Sequence, residues 1–301
     1  MAEITWGIIL AIELFFGGMA GGAYTVSALA DLFGKGRFKV TSKSGTYSSL
    51  IFIIVGLVLL VLDLGRFEVD PLGALNAYIH FPTSIMTVGT WAITGFIVIA
   101  LVTTILWMLE GVEWVRKLIE IFGIILGVTV SAYTGILFSF SRGIPVWNSP
   151  YLPWLFVFSG ALTGLTLSLL MIPVISWFMP RIFGEFKALY NNKPDMALTI
   201  NYLGRYVTVL TIFEVAILIL YLGTSTLSSV YWTDTNLKIL FFTYIILGRF
   251  LPLGITYYNT TLERGKMYDM VAILALVSQV FVLFGGFLLR YVILIGGQLA
   301  V

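Results

Sequence analysis

The sequence predicts an all-α, polytopic membrane protein of about eight transmembrane helices, and three observations predict it. Of 301 residues, 59% are hydrophobic and 11% charged, with a mean hydropathy of +1.01, whereas a soluble domain carries roughly 25% charged residues. The apolar residues gather into eight runs, each near the roughly 20 residues that carry a helix across a bilayer. Each run must be helical, because backbone N–H and C=O groups in hydrocarbon have to bond within the segment. The runs lie near residues 5–30, 46–63, 85–109, 118–140, 152–177, 202–223, 236–257 and 270–293, and leave nothing sizeable outside them. The sequence therefore reads as one integral membrane domain over 1–301, with helices one to four (about 5–140) and five to eight (about 152–293) as candidate four-helix bundles.

The first run carries Glu13, and steps of three or four residues from it reach Gly17, Ala20, Tyr24, Ser27 and Asp31. This stripe of polar and small residues has to face protein and not lipid. At 1.5 Å per residue Glu13 lies about 12 Å below the outer end of the run. Ionisable side chains within a bilayer cost a few kcal/mol on insertion scales, so each is a functional candidate. Glu13 reads as a proton acceptor, against the alternative of a hydrogen-bonded acid that only fixes helix packing. Apolar residues 4–19 followed by AGGA have some look of a signal peptide, but Glu3 is the only early charge and the apolar segment runs on to Leu29, so cleavage is not expected.

The second run ends in VLDLGRFEVDP, which sets Asp63 and Arg66 three residues apart at the outer boundary, able to pair with each other. The connection NAYIHFPTSIMTVGTW then brings His80, Thr83 and Ser84 just before the third run. His80 titrates near neutral pH and could pass a proton outwards, although a loop histidine is more often a plain surface residue. In the fourth run, SAYTGILFSFSRGIPVW puts Tyr133 about two-thirds of the way along, near the depth of Glu13. Its phenol could donate to a ligand carbonyl; a buried tyrosine commonly just packs with its hydroxyl satisfied.

The fifth run contains FVFSGALTGL, whose Ser159, Gly160, Thr163 and Gly164 echo Gly17, Gly18, Gly21 and Gly22 of the first. The echo suits either a parallel internal repeat or ordinary close packing of small residues in lipid. Residues 178–201, with Pro180, Asn191, Asn192 and Pro194, read as a plain loop. Arg205 and Glu214 follow on the sixth run and Arg249 on the seventh. Glu214 and Arg249 suit a structural ion pair; the alternative is a proton path joined by Asp31, Tyr244 and Gln279.

The formal net charge of +2 says less than its distribution. Connections after odd-numbered helices hold eleven Lys/Arg, among them Lys35, Arg37, Lys39, Lys43, Arg116 and Lys117. The others, with the C-terminal end, hold only Arg66, Arg142, Lys238 and Arg290. The positive-inside rule thus predicts both termini outside and the Lys35 to Lys43 connection in the cytoplasm.

With no cysteine, the protein can form no disulfide, bind no thiolate-held iron-sulfur cluster and carry no thioether-linked haem. With His80 as its one histidine, it cannot build a bis-His haem alone. GGMAGGA sits within a membrane helix and cannot cradle phosphate in solution. The expectation is no haem or metal in this chain and no nucleic-acid partner. Any electron chemistry would need a lipid-soluble quinone and metal centres on another subunit.

The stretches ELFFGGMAGGAY, LDLGRFE, HFPTSIMTVGTW, YTGILFS and PVWNSPYLPWLFVFSGALTG, in this order over roughly residues 10 to 165, together form a fairly specific pattern. It resembles the NrfD-like family, the membrane subunits of polysulfide reductase and related molybdoenzyme complexes. The resemblance implies an eight-helix anchor in the cell membrane, with a pocket for menaquinone or another quinone near the outer surface. A four-cluster iron-sulfur subunit would sit above that pocket and feed a molybdopterin catalytic subunit. Glu13 stands where polysulfide reductase has a pocket histidine, and Tyr133 matches its pocket tyrosine. Asp63, Arg66, His80 and Ser84 are candidates for the pocket or its outer rim. Phe67 departs from the usual LDLGRP, a change that reads as structural, and helices six to eight match poorly, so Glu214 and Arg249 draw no support from the resemblance. The expected function is quinol oxidation or quinone reduction in exchange with the iron-sulfur subunit, with proton translocation as an open addition. The rival readings are an ion or proton transporter or channel, using the Glu13 stripe and Glu214/Arg249, and a passive membrane anchor.

Overall fold

The computed structural model describes residues 7–63, 78–79, 83–109, 112–141, 143–178, 184, 187–188, 191–224, 232 and 234–299. Its elements are α1 (Ile8–Phe33), α2 (Lys39–Asp63), α3 (Ile85–Leu109), α4 (Glu113–Ser139), α5 (Leu152–Leu170) and α6 (Ile172–Phe178). They continue with α7 (Lys193–Thr224), α8 (Thr235–Ile245), a π-helical turn (Ile246–Phe250), α9 (Leu251–Arg264) and α10 (Tyr268–Leu299). Eight helical segments are long and apolar enough to cross a membrane, with α8, the π-turn and α9 forming one of them. No strand occurs among the described residues. The protein is an integral, multi-pass membrane protein.

The spans fall on the eight apolar runs, but several outreach them. α2 starts at Lys39, α4 at Glu113 and α7 at Lys193, so the last part of the stretch read as a plain loop over 178–201 is helix. Apolarity marks only the hydrocarbon-embedded part, and the hydrogen-bond ladder continues into the polar margin. Pro194 falls in the first turn of α7, where a missing N–H costs nothing. The fifth run breaks at Met171, between α5 and α6. Pro173 causes the break, since it has no N–H for the Leu169 carbonyl and its ring crowds the preceding turn.

α1 and α5 are the axis. In each, 67% of the most apolar stretch is buried inside the protein, against 22% in α3, which consequently faces lipid along most of its length. α1 packs on α2, α4, α5 and α10, while α5 packs on α1, α2, α4, α7 and α10. The two small-residue stripes singled out in the sequence meet one another. A Cβ added at Gly160 would lie 2.7 Å from the Gly18 carbonyl oxygen, one added at Gly164 would collide with the Gly22 and Ala23 backbone, and one at Gly22 would collide with Gly160. α4 approaches α1 in the same manner, a Cβ added at Gly127 falling 2.8 Å from the Gly21 carbonyl oxygen, and Ser131 Oγ donates to the Gly18 carbonyl at 3.0 Å. Without a hydrophobic drive between helices in lipid, such backbone proximity is what dispersion and interhelical hydrogen bonds need.

Where α4 ends and α5 begins, the connection folds inward. Trp147 is almost fully buried, stacks on Phe138 with ring centroids 4.8 Å apart, and donates from its indole N–H to the Ile293 carbonyl at 2.9 Å. Tyr221 Oη donates to the Val146 carbonyl at 3.0 Å. These bonds tie the connection to α7 and α10 and close the second half of the bundle from above.

Gly164→Leu is expected to abolish the α1–α5 contact, with a destabilisation of at least the roughly 1–3 kcal/mol of core overpacking. Gly254→Ala, where an added Cβ meets nothing within 4 Å, should be neutral or stabilising, by up to about 1 kcal/mol. Thermal unfolding monitored by size-exclusion chromatography in detergent checks both.

Candidate functional site

Glu13 is buried on α1, five residues from its start at Ile8, so its depth below the helix end is about 7–8 Å and shallower than the sequence suggested. Tyr133 is half-buried on α4, six residues from the end at Ser139, or about 9 Å in. The carboxyl lies within electrostatic range of the phenol. The Tyr133 ring fills the space over Gly89 of α3, where a Cβ would strike it. One turn below Glu13, a Cβ added at Gly17 would meet no atom within 4 Å. α1 and α4 thus bring an acid and a phenol to similar depths near one membrane face, with unfilled space one turn along α1 at Gly17.

Of the rim candidates, Ser84 immediately precedes α3, and its carbonyl accepts the Val88 N–H at 3.1 Å. Tyr78 closes back over the same helix, its hydroxyl 2.9 Å from Thr94 Oγ1 and its ring edge-on to Trp91. Asp63 ends α2, and Arg66 and His80 lie outside the described residues.

The structure separates the residues grouped as a proton path. Glu214 and Arg249 do pair, Arg249 Nη2 donating to Glu214 Oε1 at 2.5 Å with both side chains buried. Tyr244 Oη adds a bond of 3.4 Å to the same oxygen. The local cause is Pro252. In an α-helical register it offers no N–H to the Gly248 carbonyl, the backbone widens into the π-turn, and Arg249 Nη1 donates to that carbonyl at 2.7 Å. The wide turn also lets Gly248 sit directly on Gly285 of α10.

Asp31 joins none of these. At the far end of α1 it accepts from Arg116 Nη2 at 2.7 Å, and Arg116 Nε stands 3.4 Å from the buried Glu120. Trp107 lies under the Arg116 guanidinium at 3.5 Å.

Two groups were missed in the sequence. Arg290, counted there as a charge of the outer C-terminal end, is fully buried in α10, because that helix runs on to Leu299 and leaves the arginine about 14 Å inside. It donates to Ser159 Oγ at 3.2 Å and to the Gly286 carbonyl at 3.0 Å, faces the Phe15 and Phe156 rings and feels the charges of Glu214 and Arg249. It therefore stands between the Glu13 helix and the Glu214 pair. The other group is Arg116–Glu120, whose i,i+4 spacing in RKLIE was a usable signal.

The family model described as "Polysulphide reductase, NrfD" matches residues 1–301. The protein belongs to the NrfD family. Among its relatives, the Hdr-like menaquinol oxidoreductase integral membrane subunit of Archaeoglobus fulgidus is 28% identical over 168 residues, 56% of this chain and 41% of that protein. The C subunit of polysulfide reductase from Wolinella succinogenes is 29% identical over 189 residues, 56% of this chain and 58% of that protein. Protein NrfD of Escherichia coli is 26% identical over 207 residues, 57% of this chain and 61% of that protein. The matches thus span about two-fifths to three-fifths of these relatives' lengths.

Glu214→Ala would leave Arg249 buried without its carboxylate, and breaking such a pair typically costs about 3–5 kcal/mol. Folded yield and thermal midpoint should fall well below those of Lys117→Ala, whose pair with Glu113 is solvent-exposed.

Proposed function

We propose that this protein is the quinone-reactive membrane subunit of a multi-subunit redox complex. The observation that carries the reading is the buried Glu13 within electrostatic range of Tyr133, at similar depth near one membrane face, with open space one turn away at Gly17. The names of relatives, a menaquinol oxidoreductase membrane subunit and a polysulfide reductase subunit, support menaquinol as the substrate class. In this reading Tyr133 donates a hydrogen bond to a quinone oxygen, and as the quinol is oxidised Glu13 accepts one of its two protons while the other passes to water at the membrane face. Two electrons leave to an extrinsic four-cluster iron-sulfur subunit serving a molybdopterin catalytic subunit, and the same groups serve quinone reduction in reverse. Asp63 at the end of α2 and Ser84 before α3 belong to the outer rim, where protons leave. The protein lies in the cell membrane with both termini outside. Lys35, Arg37 and Lys39 on the opposite face support this orientation, with Arg290 removed from the outer count.

Proton translocation is the second reading. It is favoured by Asp31–Arg116–Glu120 near the inner face and Glu214–Arg249–Arg290 within the bundle, ionisable groups that quinol chemistry at Glu13 does not need.

In the purified complex, Glu13→Gln should lower turnover with a water-soluble menaquinol analogue by about 10²-fold or more, the usual contribution of a general base. Tyr133→Phe should raise KM and lower kcat less. Unchanged turnover in Glu13→Gln with intact assembly contradicts the reading, and iron or molybdenum co-purifying without any quinone supports a passive anchor instead.

A further inference from the structure

On the membrane face opposite Glu13, the ends of α1 and α3 and the starts of α2 and α4 enclose a cavity of about 680 Å³. Lys35, Lys39, Lys43, Arg116 and Lys117 line it, with Asp31 and Glu113 as the only carboxylates among its lining residues. Among the described residues, even with Glu120, which lies behind Arg116, cations outnumber carboxylates five to three. Trp107 is buried at its wall, with Lys43 Nζ 5.6 Å and the Arg116 guanidinium 3.5 Å from its ring. Lys43 and Arg116 are themselves more than nine-tenths buried. Concentrating positive charge beside an apolar wall is costly unless an anion shares the space.

The rim identifies the source of that anion. Phe33, Leu109 and Trp114, each adjacent or nearly so in sequence to a lining residue, are 76%, 63% and 73% exposed, which gives an apolar border at the level of a headgroup region. A soluble anion has no use for such a border, whereas acyl chains do. We propose that this cavity binds the phosphate of an anionic phospholipid from the adjacent leaflet, with Lys35, Lys39 and Lys117 around the headgroup and the acyl chains lying along Phe33, Leu109 and Trp114. Basic pockets between transmembrane helices on the cytoplasmic side suit this chemistry. The inference is independent of any quinone site.

The test is native mass spectrometry of the full-length protein titrated with phosphatidylglycerol or phosphatidylcholine. Lys35→Asn and Lys39→Gln change exposed side chains, and Asn tolerates the positive φ of 47° at position 35. Each should weaken phosphatidylglycerol binding about fivefold and leave phosphatidylcholine binding unchanged, while Lys238→Gln in α8, on the other face, should alter neither. Equal affinity of the wild type for the two lipids, or an unaltered preference in the Lys35→Asn/Lys39→Gln double variant, overturns the proposal. Displacement of phosphatidylglycerol by millimolar inorganic phosphate would reassign the cavity to a free anion and overturn it too.

Discussion

The close approach of α1 to α5 is the constraint from which the remaining geometry follows. Gly22, Gly160 and Gly164 let the two backbones touch, and no side chain larger than a hydrogen fits at any of the three. Once α1 is held at that distance, α4 is drawn in through Gly21, Gly127 and the Ser131 bond to the Gly18 carbonyl. Tyr133, two residues beyond Ser131, then arrives at the level of Glu13. The same Gly18 leaves space on its other side for the Arg290 guanidinium, since a Cβ there would occupy the position of Nη2.

Within that frame the ionisable groups separate into two sets with different physical roles. Asp31, Arg116 and Glu120 sit at one end of α1 and α4, next to a cationic cavity and the wetter margin of the bilayer. Glu214, Arg249 and Arg290 are deep, where stranding a single charge is costly. The deep set carries two guanidiniums and one carboxylate, and it manages the imbalance by spreading donors over carbonyls at Gly248 and Gly286, the Ser159 hydroxyl and aromatic faces. Its geometry originates in Pro252, because the π-turn that the proline provokes aims Arg249 across to Glu214.

The apolar runs made the eight spans legible, since a bilayer imposes both composition and helix on every crossing segment. The stripe from Glu13 to Asp31 was also legible, and the structure buries Glu13, Ala20, Tyr24, Ser27 and Asp31 while leaving Gly17 half-open. That Gly17–Gly22 and Ser159–Gly164 would pack on each other was not readable from their likeness alone, which fitted an internal repeat as well. Arg290 escaped notice because the apolar run appeared to end just after it, and a charge near a run's edge looks interfacial. Asp31 meets Arg116 of α4 and not the Glu214 pair, which was not readable because helical periodicity gives the face of one helix but not which other helix meets it.

Photoaffinity labelling of the membrane-embedded complex with an azido-quinone, followed by peptide mapping, tests the central claim most directly. The account predicts label on α1 between Glu13 and Gly17 and on α4 around Tyr133, displaced by excess menaquinone analogue. Displaceable label confined to α7–α10, with α1 and α4 unmarked, would contradict it.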